Sequence, residues 1–356
     1  MAGGLQVGGA PLVTLRARDL PGEGPAFTEA QILPGRGMML LQVRLRMPDG
    51  RTVDGLFAPE PEAAARELSG GPDDFAGNRA FAFGGCLLAP YANRIRGRAL
   101  EDTREIETVV DGRAVRLPRN WGGKTAGAEQ YAMHGLILDA NVPFEASEDT
   151  ISGLLDAGDF GGRWPGKLQL EITWTLRGGA LILSVTARNT GSEPLPLGLG
   201  WHPYFQLPSG DRSQARLRLP AGLRCETNDY DEVLPTGRLL PVAGTPYDFN
   251  GAPPLGDLYL DDCFTDLVRQ DGQTVVEVLD PAAGIGLRIA SPTPEVKAVQ
   301  VYAPPDKPFV VVEPQFNLAE PFADIWPPGT DTGMARLKPG AELSYEVRLE
   351  AFALGT

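Results

Sequence analysis

Apolar and polar residues alternate with a period of two along much of this chain, the rhythm of a strand with one face buried and one face wet. In Leu41-Gln42-Val43-Arg44-Leu45-Arg46-Met47 the odd positions are expected to face a core. Leu343 to Leu349 repeats the pattern with Ser344, Glu346 and Arg348 outward. Similar runs lie at Leu168 to Leu176, Leu181 to Ala187, Val275 to Leu279 and Ala298 to Tyr302. Turn-formers punctuate them: Pro48-Asp49-Gly50, Arg177-Gly178-Gly179, Asp271-Gly272 and Pro339-Gly340. Helical signal is confined to about two turns after Pro61, where Glu62 to Leu68 precedes the stop at Gly70-Gly71. The 44 Gly and 33 Pro are scattered between strands and form no linker. The chain therefore reads as all-β: one domain over residues 1–356, a large antiparallel β-sandwich with few short helices.

Charge and cysteine usage narrow the function classes. With 46 acidic against 32 basic residues and a formal net charge of -14, the overall field repels phosphate backbones and anionic membranes, so neither a nucleic-acid nor a membrane partner is expected. No run of eighteen apolar residues and no leader-like start occurs, which predicts a cytoplasmic location. Cys86, Cys225 and Cys263 are far apart in sequence and lack Cys-x-x-Cys spacing. They read as small apolar fillers, with no disulfide framework and no metal site expected. The chain has two histidines, His134 and His202, which limits acid-base chemistry near neutral pH to few groups.

Five segments carry residue types suited to chemistry. Pro90-Tyr91-Ala92-Asn93-Arg94-Ile95 sets an amide beside a guanidinium, two directional donors for hydroxyl groups. Tyr131-Ala132-Met133-His134-Gly135 follows a histidine with a glycine, which lets another backbone or a ligand approach closely. In Trp201-His202-Pro203-Tyr204-Phe205 the proline holds His202 extended, and three aromatic rings offer a platform for the apolar face of a sugar. Leu260-Asp261-Asp262-Cys263-Phe264 has adjacent carboxylates. Phe309-Val310-Val311-Val312-Glu313-Pro314-Gln315 is a β-branched strand ending in a carboxylate, with Glu313 on the face of Val311 and Phe309. If that face is the inner one, desolvation raises the Glu313 pKa and makes it a better base.

The ordered set Pro-Tyr-Ala-Asn-Arg-Ile, His-Gly, His-Pro-Tyr-Phe, Asp-x-x-Phe and Val-Glu-Pro-Gln, running from about Gly84 to the C-terminus, resembles the galactose mutarotase, or aldose 1-epimerase, family. That resemblance implies a galactose mutarotase-like supersandwich with an open sugar cleft and no cofactor. It implies Glu313 as general base at the anomeric hydroxyl and His202 as general acid at the ring oxygen, with Asn93, Arg94, His134 and Asp261 holding the other hydroxyls. Two positions depart from the family pattern. Asp261-Asp262 stands where relatives commonly have Asp-His, leaving either aspartate as the ligand, with Asp261 preferred. Gln206 stands where many have Asn, which bears on sugar preference.

The implied activity is interconversion of the α and β anomers of a free aldose, with Glu313 ionised and His202 protonated at working pH. That state requires the imidazole pKa to stay near or above about 6.5. Three rivals are a non-catalytic carbohydrate-binding protein, a glycosidase using Asp261 and Glu313, and a hexose-phosphate epimerase. The last would use Arg94, Arg96 and Arg98 with Lys124 as an anion site.

Overall fold

The structure, a computed structural model, describes residues 4–355. Two large antiparallel sheets dominate. The eleven-stranded sheet runs Pro235–Pro241, Ala221–Thr227, Leu260–Leu267, Ala298–Ala303, Phe309–Gln315, Gly200–Gln206, Gly85–Leu88, Met39–Arg46, Ala26–Leu33, Val13–Arg16, with Thr52–Asp54 also paired to Met39–Arg46. The eight-stranded sheet runs Phe144–Ala146, Thr150–Gly158, Leu168–Arg177, Ala180–Asn189, Glu342–Ala353, Ile285–Ser291, Thr274–Asp280, Arg216–Arg218. Every alternating run read from the sequence lies in one of these strands, save Met47, which follows the end of Met39–Arg46, because a period-two pattern buries one face only when extended. The helical segment after Pro61 forms Pro61–Glu67, with proline in the first turn where its missing N–H costs nothing. It is the only α-helix among the described residues.

Apolar residues of both sheets share one core, and Trp174 of the smaller sheet meets Trp201 of the larger at a ring separation of 5.6 Å. The indole of Trp174 donates to the Met38 carbonyl (2.9 Å), and the Tyr345 hydroxyl donates to the Pro314 carbonyl (2.7 Å), so the polar ends of these buried rings are satisfied across the layers.

One alternation departs from the sequence reading. Val43, Leu45 and Met47 face the inter-sheet core as expected, but Leu41 joins a second cluster with Leu33, Met39 and Cys86. The pairing steps from Gln31 opposite Gln42 to Ile32 opposite Leu40, so Leu41 is an extra residue in the ladder, and such a bulge reverses the alternation.

The face of the large sheet turned away from the core carries the polar residues of interest. Along one cross-strand row, Cys263 lies opposite Gln300, Gln300 opposite Glu313, and His202 opposite Cys86. A small three-stranded sheet, Trp121–Gly122, Gln130–Met133 and Arg94–Ile95, supplies a further wall carrying Trp121, Arg94 and Tyr131.

Candidate active site

Period-two geometry explains why Glu313 and His202 point into the same space. In Phe309–Gln315, Val310 and Val312 enter the inter-sheet core, so Glu313 takes the other face with Val311 and Phe309. In Gly200–Gln206, Trp201 and Phe205 enter the core, leaving His202 and Tyr204 on that same face. The expected platform of three rings therefore reduces to Tyr204. The Glu313 face is not the sandwich interior, yet Glu313 is 1% exposed, because the covering segments exclude water. His202 Nε2 lies 3.3 Å from Glu313 Oε1. The His134 ring stands edge-on to that of His202 at 4.8 Å. All three line a cleft of about 400 Å³ together with Arg94 and Asp261.

Backbone strain aims the covering wall. Asn93 (φ 62°) and His134 (φ 63°) both sit in the left-handed region, unusual for residues other than glycine and a feature that clusters at functional sites. The N–H of His134 donates to the Asn93 carbonyl (2.9 Å), locking the two together. Asn317 pins the preceding turn, accepting from the Ala92 N–H (3.1 Å) and donating to the Ala92 carbonyl (2.8 Å). Gly135 allows the close approach anticipated for it, and the partner is the backbone of Ala89.

Arg94 is buried and each of its three nitrogens has a partner, leaving two of its five N–H donors free for a ligand: Nε donates to the Tyr131 hydroxyl (3.2 Å), one terminal nitrogen to Asn93 Oδ1 (2.8 Å), the other to Asp261 Oδ2 (3.4 Å). Asn93 does not itself line the cleft. Its amide donates to Gln300 Oε1 (2.9 Å), and it braces the contact layer from behind. Gln300, which the sequence reading did not single out, donates to Asp261 Oδ1 (2.6 Å) and joins Asn93 to Asp261. The signal for it was an amide in the otherwise apolar run Ala298 to Tyr302.

The two aspartates separate cleanly. Asp261 faces the cleft, whereas Asp262 points to the other face, fully buried and committed to Arg224 and the Tyr230 hydroxyl. Gln206 does not reach the cleft and donates to the Leu207 carbonyl, so it has no contact through which to influence sugar choice. Of the basic residues considered as an anion site, Arg94 and Lys124 line the cleft, but Arg96 pairs with Glu129 and Glu320, and Arg98 with Glu107, away from it.

Burial sets the protonation of the pair and reverses the state expected from sequence. Desolvation pushes the Glu313 carboxyl well above its ordinary range, reinforced by the Asp261 charge and opposed by Arg94. Desolvation, with a smaller contribution from Arg94, pushes the His202 imidazole down. His134 is likewise held low by burial, then by His202 and Arg94. Both shifts favour the neutral carboxyl and the neutral imidazole over the ion pair. His202 is not the standing imidazolium that the sequence reading expected.

Both ring nitrogens of His134, Nδ1 of His202 and Oε2 of Glu313 are buried without a hydrogen-bond partner among the described residues. A polar group left so costs about 1–3 kcal/mol. The three side chains that carry these atoms line the cleft, which leaves hydrogen-bonding capacity beside the space a hydroxyl-rich ligand would fill. Potential ligand atoms of His134, His202 and Glu313 also lie within 4.8 Å of one another, a spacing able to take a metal ion that the linear sequence did not reveal. No helix of the described residues is long and apolar enough to cross a membrane.

Comparison with known proteins bears on this geometry. The galactose mutarotase of Rattus norvegicus is 28% identical over 176 residues, 48% of this chain and 46% of that protein. The aldose 1-epimerase of Escherichia coli K12 is 28% identical over 228 residues, 64% of this chain and 58% of that protein. The chain thus spans about half the length of the curated relatives it matches. Among solved structures, a galactose mutarotase-like protein from Clostridium acetobutylicum superposes with a TM-score of 0.73 at 17% identity, covering 92% of this chain and 93% of its own. An aldose epimerase homologue from C. elegans gives 0.72 at 18%, covering 97% and 99%. These two share the fold. The sequence model described as aldose 1-epimerase matches residues 50–350, a span that contains every residue of the cleft described above, and this chain belongs to the aldose 1-epimerase family.

Proposed function

We propose that this protein is an enzyme that interconverts the α and β anomers of a free, unphosphorylated aldose. The observation that carries the reading is the His202–Glu313 contact, 3.3 Å long, between two buried side chains that line the cleft beside His134. Ring opening removes a proton from the anomeric hydroxyl and delivers one to the ring oxygen as the bond from C1 to that oxygen breaks and C1 becomes an aldehyde carbon. Rotation about C1–C2 and closure on the other face return both protons. Two adjacent groups sharing one proton suit this cycle, since one accepts while the other donates and the pair ends as it began. His134, Arg94 and Asp261 hold hydroxyls, while Asn93 and Gln300 act as positioning residues behind them. Arg96 and Arg98 are turned away, which supports a neutral sugar over its phosphate. The core shared by both sheets supports one folding unit over the whole chain. Polarimetry of freshly dissolved α-glucose and α-galactose with and without protein tests the proposal; no acceleration by active-site-intact protein overturns it.

The pH dependence follows from the proton count. Catalytic efficiency is expected to be bell-shaped, because activity needs one proton on the pair. The acid limb arises where His202 takes a second proton, below its ordinary imidazole value because burial lowers it. The alkaline limb arises where Glu313 loses the shared proton, above its ordinary carboxylate value because burial raises it. Residual activity of His202→Asn should lack the acid limb. An alkaline limb unchanged in the residual activity of Glu313→Gln would contradict the assignment.

Acid-base chemistry by the pair needs no ion between His134, His202 and Glu313. Mutarotation is expected to survive exhaustive chelation and dialysis, followed by polarimetry. Loss of activity reversed by a divalent cation would overturn that part of the mechanism.

A further inference from the structure

We infer that His134, His202 and Glu313 form a reversible, inhibitory site for a zinc-class divalent cation, which stops the enzyme by occupying the side chains that move its protons. The binding stands on geometry, whereas the inhibition rests on the anomer-exchange reading. One edge of the coordination sphere is already in place. Ligand atoms about 2.0–2.1 Å from a tetrahedral ion stand about 3.3 Å apart, and His202 Nε2 lies 3.3 Å from Glu313 Oε1. A nitrogen of His134 completes the set, since the three donor atoms lie within 4.8 Å of one another.

The remaining separation is closed by the His134 ring. Its backbone is fixed by the bond from its N–H to the Asn93 carbonyl, but its side chain is held only by edge-on contacts with the rings of His202 (4.8 Å) and Phe81 (5.1 Å). Both of its nitrogens are buried without a partner among the described residues. Turning the imidazole toward an ion therefore breaks no hydrogen bond, and coordination gives a buried nitrogen the partner it lacks. All three residues line the cleft of about 400 Å³, which provides a path of entry and room for a fourth, non-protein ligand.

Two imidazoles and one carboxylate select the ion. Zinc and the transition metals near it accept such a set, whereas calcium and magnesium require shells made mainly of oxygen. Arg94, the positive charge at the cleft, is paired with the Asp261 carboxylate, so the cation does not meet an uncompensated guanidinium. The ion takes the Glu313 carboxylate, and any proton carried there leaves to solvent. What the site lacks is support behind the ligands. Histidines that hold a resident zinc commonly donate their second nitrogen to a carboxylate or carbonyl. Here Nδ1 of His202 and both nitrogens of His134 have no such partner among the described residues. Loss of such partners weakens metal affinity about 10–100-fold, which makes this ion an exchangeable inhibitor and not a permanent cofactor.

Isothermal titration of the intact protein with zinc chloride, after dialysis against a chelator and without sugar, tests the site. One saturable site is expected, weakened about tenfold or more in His134→Gln, since removing a ligand costs at least as much as removing a partner behind it. Glu313→Gln serves as an independent variant should the first fail to fold. Cobalt(II) added in place of zinc should give the visible absorption of a four-coordinate ion in the wild type and lose it in the variants. In polarimetry of α-glucose, saturating zinc is expected to slow the wild type about tenfold or more, with the rate restored by chelator and the inhibition shifted to higher zinc by added sugar. No zinc binding, or equal affinity in the wild type and both variants, would overturn the site. Zinc held by the triad with mutarotation undiminished would overturn the inhibition. Protein that binds zinc there yet accelerates no sugar when metal-free would retain the site and remove the anomer-exchange reading.

Discussion

Replacing Glu313 with glutamine is expected to lower kcat for mutarotation by about 10²–10⁴-fold with KM little changed, the range expected for one positioned proton-transfer group. Glutamine retains the size of the side chain and a carbonyl acceptor, so the sugar still binds, but the shared proton has lost one of its two sites. The same variant is expected to melt at a higher temperature. In the folded protein burial keeps the carboxyl protonated well above its ordinary value of about 4.5, whereas in the unfolded chain it ionises there. Folding then takes up a proton, and by linkage wild-type stability declines as pH rises from the ordinary carboxylate value to the raised folded one. Glutamine carries no such penalty. The gain in melting temperature should therefore be small at pH 4 and larger at pH 8, as read by thermal unfolding of both proteins. A variant with near-normal turnover would remove Glu313 from the mechanism; a gain independent of pH would remove the raised carboxyl.

The largest expected loss of stability is at Gly135. A Cβ there would stand 2.1 Å from the Ala89 carbonyl oxygen, and the backbone is left-handed at φ +88°. Gly127 has nearly the same backbone, φ +86°, with nothing within 4 Å of its would-be Cβ. Gly127→Ala is thus expected to cost only the left-handed conformation, about 1–2 kcal/mol. Gly135→Ala adds overpacking of about 1–3 kcal/mol against a backbone that cannot yield, for a total of about 2–5 kcal/mol. Denaturant unfolding of the two variants separates the terms. Because Gly135 follows His134, whose own N–H is tied to Asn93, refolded Gly135→Ala should also bind sugar more weakly. Equal losses in the two glycine variants would show that the Ala89 contact carries no energy.

Strand positions and their buried faces were legible in the sequence because alternation is local: a strand declares which residues share a face within a few positions. The helix after Pro61 was legible for the same reason. Glu313 on the face of Val311 and Phe309 was read from adjacent residues, the histidines as the scarce acid-base groups from a count over the chain, and the preference for Asp261 from the family resemblance. Tertiary structure decided what depends on other strands. A bulge at Leu41 moved that side chain to a second cluster, and the core claimed Trp201 and Phe205, leaving Tyr204 for the cleft. Register set Gln300 between Cys263 and Glu313 and Cys86 opposite His202, so two cysteines read as fillers lie in the same row as the proposed acid-base pair. Asn93 went behind the contact layer, and Arg96 and Arg98 turned to other carboxylates. Protonation could not be read from residue identity, because it is set by the water excluded when distant segments close over the sheet. A histidine and a glutamate 111 positions apart in the numbering have their pKa values shifted in opposite directions only once folding has buried them side by side.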